Sequence, residues 1–69
     1  MVIIMNECRY IVSWHHPGYI GHSKIYKYRK PAFTFAIKLH FIFDEDAEIM
    51  VECQERKGET WAMIGRRMF

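Results

Sequence analysis

Apolar and polar residues alternate along much of the chain, and this two-residue period restricts the fold more than any other feature of the sequence. Between Phe33 and Phe43 every odd position is apolar, and the same pattern returns between Ala47 and Cys53. Successive side chains of a β-strand point to opposite faces, so both segments are predicted to be strands with one buried face. A helix over the second segment would instead place Glu48 and Glu52 beside its apolar positions.

The two segments are predicted to pair as a hairpin through an acidic loop at positions 44–46. Like faces must oppose each other in a sheet, so a three-residue loop sets the register. Leu39 then pairs with Val51 on the buried face. On the opposite face Lys38 pairs with Glu52, which is a cross-strand ion pair of modest stabilising effect.

Two further strands are predicted upstream of this hairpin. Residues Cys8 to Trp14 alternate in the same way, and the Pro17-Gly18 pair that follows is typical of a type II turn. Residues Tyr19 to Arg29 are predicted to form a second strand. Pro31 is expected to end it, because proline has no N–H group to donate to a neighbouring strand.

The last ten residues fit two structures. A three-residue hairpin loop at positions 56–58, with Gly58 in the left-handed conformation, would make this segment a strand and set Trp61 opposite Cys53. Trp61, Ile64 and Met68 also fit one face of a helix capped by Thr60. We favour the strand. The fold expected is therefore mainly β, an antiparallel meander or small barrel of four to five strands, becoming a small α+β fold if residues 60–69 are a short helix.

Length and composition predict one small domain spanning residues 1–69. An apolar share of 51% is enough for a core without a disulfide or a metal, although a core of this size favours self-association as a homodimer. Cys8 and Cys53 lack the spacing of a disulfide framework and are predicted to be buried, reduced thiols in the cytoplasm. No apolar run is long enough for a membrane helix, and the first residues do not resemble a signal peptide.

Charge is distributed unevenly along the chain. No acidic residue occurs from Cys8 to Phe43, whereas six Lys and Arg residues, all four histidines and nine of the eleven aromatic residues lie there. The next thirteen residues reverse the sign, with six acids against Arg56. Ordinary surfaces mix the two signs, so the basic segment predicts a face for an anionic partner.

Cations that track phosphates and rings that stack on bases are the two components of single-strand binding. The chain is therefore expected to be a non-enzymatic binding module for nucleic acid, preferably single-stranded. The alternative is a small adaptor or inhibitor that docks on an acidic or nucleic-acid-binding site of a partner protein. The candidate binding residues are Lys24, Lys27, Arg29, Lys30, Tyr19, Tyr26 and Tyr28.

Catalytic, cofactor and metal sites are not expected. The only serines, Ser13 and Ser23, have no arrangement that predicts a catalytic triad, and no glycine-rich phosphate loop is present. The histidines and cysteines lack a Cys-x-x-Cys or His-x-x-x-His pair that would place two metal ligands on one side of an element.

Overall fold

Four antiparallel strands form a single open sheet, with one helix packed against one of its faces. The computed structural model describes residues 7–18, 20–43 and 45–69. The elements are β1 (Cys8–His15), β2 (His22–Tyr26), α1 (Arg29–Ile42), β3 (Glu48–Lys57) and β4 (Thr60–Met68). The strand order is β2-β1-β3-β4. A mainly β fold with four strands is thus confirmed, as is the strand at the end of the chain.

The central strands β1 and β3 supply most of the buried sheet surface. Val12 lies opposite Val51, and Trp14 lies opposite Ile49. Val12, Ile49 and Val51 are almost completely buried because α1 packs over them. We call the face covered by α1 the inner face and the opposite one the outer face. The inward positions predicted for the segment from Ala47 to Cys53 are those that the structure buries at its centre.

Residues 33–42, predicted as part of a strand, belong to the helix α1, and Phe43 is its C-cap. The predicted hairpin from Phe33 to Cys53 is therefore wrong. Its pairs, Leu39 with Val51 and Lys38 with Glu52, do not form, since β3 pairs with β1 and β4 instead. The helix buries Ala32, Ala36 and Leu39, a set spaced by four and three residues. A sheet whose inner face carries large apolar side chains needs a second layer to cover them, and within residues 7–18, 20–43 and 45–69 this segment supplies it.

Pro31 also has a different place from the one predicted. It stands in the first turn of α1, where backbone N–H groups have no partner within the helix, so proline removes no hydrogen bond there. Tyr28 occupies the N-cap position in an extended conformation, without a side-chain hydrogen bond. The predicted second strand is accordingly shorter than Tyr19 to Arg29 and ends at Tyr26.

The connections within the two hairpins depend on glycine. Gly18 has φ of 87°, as the predicted type II turn at Pro17-Gly18 requires. Gly58 has φ of 66° and opens a two-residue loop between β3 and β4. The predicted three-residue loop is therefore wrong, and Trp61 lies opposite Arg56 instead of Cys53.

A register shift interrupts β4 beside Cys53 and Gln54. Met63 lies opposite Gln54, whereas the next paired residue, Gly65, lies opposite Cys53, so Ile64 is an extra residue in the strand. Such a bulge changes which residues point to each face beyond it. Here it places Arg67 opposite Val51 and Arg66 opposite Glu52.

Candidate functional site

A groove of about 290 Å³ lies between the first turns of α1 and the inner face of the sheet. Strands β1, β3 and β4 form one side, and α1 forms the other. The residues that line this basic groove include three arginines and no carboxylate. They are Tyr10, Arg29, Phe33, Val51, Cys53, Gly65, Arg66 and Arg67.

Aromatic rings hold two of the arginines on opposite sides of the groove. The guanidinium carbon of Arg29 lies 4.9 Å from the ring centroid of Phe33, one turn further along α1. Arg67 lies in the same way 5.4 Å from the ring of Phe69. The rings of Phe33 and Phe69 meet edge to face at 5.8 Å. Cation–π contacts orient a guanidinium without neutralising it, so both positive charges are presented to the groove.

The predicted binding residues surround the start of α1. Lys24 points to the inner face, with its ammonium 5.2 Å from the ring of Tyr26 and 5.4 Å from that of Phe35. This places Lys24 on the β2 side of the helix, away from the basic groove. Lys27 lies 5.7 Å from the ring of Tyr28 in the connection between β2 and α1.

Arg29 and Lys30 open α1, and of the predicted residues only Arg29 lines the basic groove. Tyr28 is 64% exposed, whereas Tyr26 is half-buried against Phe35. Tyr19 lies outside the described residues. Of the described members of the predicted set, Lys24 and Tyr26 lie on β2, Lys27 and Tyr28 lie in the connection to α1, and Arg29 and Lys30 open the helix.

Arg66 and Arg67 belong to the site, and sequence reasoning missed them. A strand over residues 60–69 does predict that one of two adjacent arginines faces the sheet's covered side. The loop length and the bulge decide which one, and neither can be read from the alternation alone. The register places Arg67 on the inner face, while Arg66 lies at the rim of the groove.

The carboxylates of β3 are divided between the faces. Glu48 and Glu52 occupy outer-face positions, and Glu55 occupies an inner-face position beside Cys8 at the far end of the strand. Glu7 forms an exposed salt bridge of 3.2 Å with Arg56. The basic groove therefore faces away from two of the three carboxylates of β3.

Two side chains on the inner face, Tyr10 and Cys8, have raised pKa values. Partial burial raises the pKa of the Tyr10 hydroxyl, as does its hydrogen bond with Cys53, while the Arg29 guanidinium acts in the opposite direction. Burial, followed by the neighbouring Cys53 and Glu55, raises the pKa of the Cys8 thiol. Both cysteines are half-buried and without a disulfide. A thiol with a raised pKa carries little thiolate at neutral pH, so Cys8 is a poor nucleophile.

Other classes of site find no support in the described part of the chain. Its His, Cys, Asp and Glu residues form no group of three or more that could hold a metal ion. No helix among residues 7–18, 20–43 and 45–69 has the length and apolar character needed to cross a membrane.

Comparison with models of known protein families gives no match, and neither curated proteins nor solved structures give a significant one.

Proposed function

We propose that the protein binds single-stranded nucleic acid, with the phosphates along the basic groove and at least one base stacked on Tyr28. The observation that carries this proposal is that Arg29 and Arg67 face one groove that no carboxylate lines, with Arg66 at its rim. Arginine suits phosphate because its planar fork donates two parallel hydrogen bonds.

Two exposed lysines lie close to Arg29 in the chain. Lys27 and Lys30 are exposed beside the start of α1, and no acidic residue lies in its first turn. A single strand that enters along the groove would meet further positive charge as it leaves past the helix. Continuous positive potential of this kind follows a flexible phosphate backbone over several nucleotides.

Tyr28 supplies a ring for stacking. Tyr28 is 64% exposed and its side chain makes no capping hydrogen bond, so a base can reach the ring. A single strand offers unpaired bases to such a ring, whereas a duplex keeps its bases stacked on one another. This difference favours a single strand over a duplex.

The test is a titration of a labelled, mixed-sequence single-stranded oligonucleotide, followed by fluorescence anisotropy at about 50 mM and about 200 mM salt. The informative variant is Arg29→Ala combined with Arg67→Ala. Its matched control is Arg9→Ala combined with Arg56→Ala, which removes the same charge from the opposite face. Circular dichroism checks that both double variants fold.

Loss of two phosphate contacts should weaken binding by at least about tenfold and reduce the salt slope by about 1.4, since each contact to a single strand contributes about 0.7. The control should bind nearly as well as the unchanged protein. Equal losses in the two double variants would show that only net charge matters, and an absence of binding at low salt would overturn the proposal. The search would then turn to the alternative partner, an acidic protein surface.

Tyr28 is tested separately. Tyr28→Ala should weaken binding by about 1–3 kcal/mol, the effect of removing one stacked base, and Tyr28→Phe should leave affinity almost unchanged. The titration with Tyr28→Ala measures this difference at constant charge. If Tyr28→Ala binds as well as Tyr28→Phe, the ring is not a stacking platform.

A further inference from the structure

The outer face of the sheet carries apolar side chains that no described part of the chain covers. Ile25 in β2 is 58% exposed, while Met63 and Met68 in β4 are 53% and 57% exposed. Ile11 and Met50 lie between them on the central strands and are half-buried. A sheet with one apolar face covered by a helix ordinarily presents a polar face to water, so this exposure points to a partner.

A polar chain crosses the same face. The Nε atom of Arg9 donates a hydrogen bond of 2.8 Å to Gln54 Oε1, and Gln54 Nε2 donates one of 2.5 Å to Glu52 Oε2. The Arg9 guanidinium also lies 4.1 Å from the ring of Trp61. These side chains are already held in place on the surface of the monomer, so they would lose little conformational freedom in an interface.

The outer face is balanced in charge, unlike the inner one. Three arginines, Arg9, Arg56 and Arg66, stand against Glu48, Glu52 and Glu7. Arg56 forms the salt bridge with Glu7, and Arg66 lies directly opposite Glu52 in the register. Two copies that met through the basic groove would bring like charges together. Two copies that met through the outer face would not, and rotation could place a carboxylate of each near an arginine of the other.

The area of this face suits a small dimer. The four strands have 8, 5, 10 and 9 residues, so at about 3.3 Å per residue and about 4.8 Å per strand they present about 500 Å² of flat surface. Two such faces would together bury about 1,000 Å², which lies at the low end of the range for specific interfaces and suits a dimer that forms only at high protein concentration. The separate chain, whose buried core comprises only six of the described residues, would gain much from such burial.

We propose that two copies of the chain associate through their outer faces, as a two-fold symmetric pair of packed sheets about 10 Å apart. Each copy then keeps its basic groove on the outside of the dimer. The apolar core of the interface consists of Ile11, Ile25, Met50, Met63 and Met68. This proposal does not depend on what the groove binds.

The first experiment is sedimentation equilibrium of the free protein over a wide range of concentrations. The unchanged chain should reach twice its 8.4 kDa mass. Ile25→Glu combined with Met68→Glu should raise the dissociation constant of the dimer by at least about tenfold. The matched control is Ile37→Glu combined with Phe41→Glu, which charges exposed apolar positions on α1 and should leave the dimer intact.

A second experiment needs no variant and so does not depend on whether the charged proteins fold. Mild peroxide converts accessible methionines to sulfoxides, and mass spectrometry reports the rate at each position. Oxidation of Met63 and Met68 should slow several-fold when the protein is concentrated into the dimer range.

Three results would overturn the proposal. One is a chain that stays at 8.4 kDa at every concentration. Another is a dimer that is lost only when α1 is charged. The third is association without protection of Met63 and Met68. Oligonucleotide affinity of the Ile25→Glu and Met68→Glu variant, measured separately, keeps failure of the dimer distinct from failure of the basic groove.

Discussion

The inner and outer faces of the sheet are made from the same four strands but differ in packing and in charge. The inner face buries Val12, Ile49 and Val51 under the helix and ends in a groove lined by three arginines. The outer face leaves Ile25 and two methionines more than half exposed and balances its arginines with carboxylates. The described residues cover one face only. Stability therefore depends on the inner face, and the outer face is the one through which we propose that two copies associate.

The largest difference between the faces should appear when an isoleucine is shortened on each. Ile49→Ala, at a position 2% exposed, is expected to lower the free energy of unfolding by about 2–5 kcal/mol. Ile25→Ala, at 58% exposed, should lower it by less than about 1 kcal/mol. Urea denaturation measures both free-energy changes at low protein concentration, where the monomer predominates. Similar losses at the two positions would mean that the outer face is as tightly packed as the inner one.

The contact between α1 and the inner face can be tested by adding volume. Ala36 is fully buried, so Ala36→Leu should lower the free energy of unfolding by about 1–3 kcal/mol through overpacking. Thr34→Leu, on the exposed side of the same helix, should leave it unchanged or raise it by about 0.5 kcal/mol because leucine favours helix. A tolerated Ala36→Leu would show that the helix does not approach the sheet closely. Thermal denaturation followed by circular dichroism distinguishes these outcomes.

The polar chain of the outer face should contribute less than either packing effect. Gln54→Met keeps the length of the side chain but removes both hydrogen bonds, to Arg9 and to Glu52. We expect the free energy of unfolding to fall by about 0.5–1.5 kcal/mol, the net effect typical of such bonds. Urea denaturation measures the change. An increase in stability would indicate that burying apolar surface matters more than hydrogen bonding on this face.

The smallest expected effect is a pH dependence at Tyr10 on the inner face. Burial raises the pKa of its hydroxyl in the folded chain above the ordinary value of about 10. The unfolded chain then loses this proton first as the pH rises, so stability present below about pH 10 is lost through the alkaline range. Urea denaturation at about pH 8 and about pH 10.5 should show a smaller alkaline loss for Tyr10→Phe than for the unchanged protein. Equal losses would mean that ionisation of Tyr10 does not contribute.

Two segments with the same alternation show how far sequence patterns predict this fold. Residues 47–53 alternate, and all but Ala47 belong to β3, with Ile49 and Val51 inward as predicted. Residues 33–43 alternate equally well, and all but Phe43 lie in α1. In the second segment the spacing of Ala32, Ala36 and Leu39 also indicates a helix, but small alanines give a weaker apolar signal than phenylalanine. The alternating phenylalanines are divided, with Phe35 packed against Trp14 and Phe41 81% exposed.

The candidate site was predicted only in part, because charge is a property of sequence and proximity is not. The acid-free segment from Cys8 to Phe43 does contribute Arg29, and Lys27 and Lys30 lie close to it in the chain. Arg67 comes from a strand that the sequence places almost forty residues away. Its position on the groove depends on the pairing of β3 with β4 and on the bulge beside Cys53. No local sequence pattern predicts this strand pairing or the position of the bulge over other registers of β4.

The sequence by itself determined the strands β1 and β3, the turn at Pro17-Gly18 and the separation of basic from acidic residues, because each depends on neighbours in the chain. It favoured a strand over a helix for residues 60–69 without deciding between them. Only the tertiary structure decided that residues 29–42 are helical, that β1 pairs with β3, and that Arg67 faces Arg29 across a groove. The physical reason is the same in each case. Burying Val12, Ile49 and Val51 stabilises the whole chain, and the gain from a shared core exceeds the local preference of any one segment.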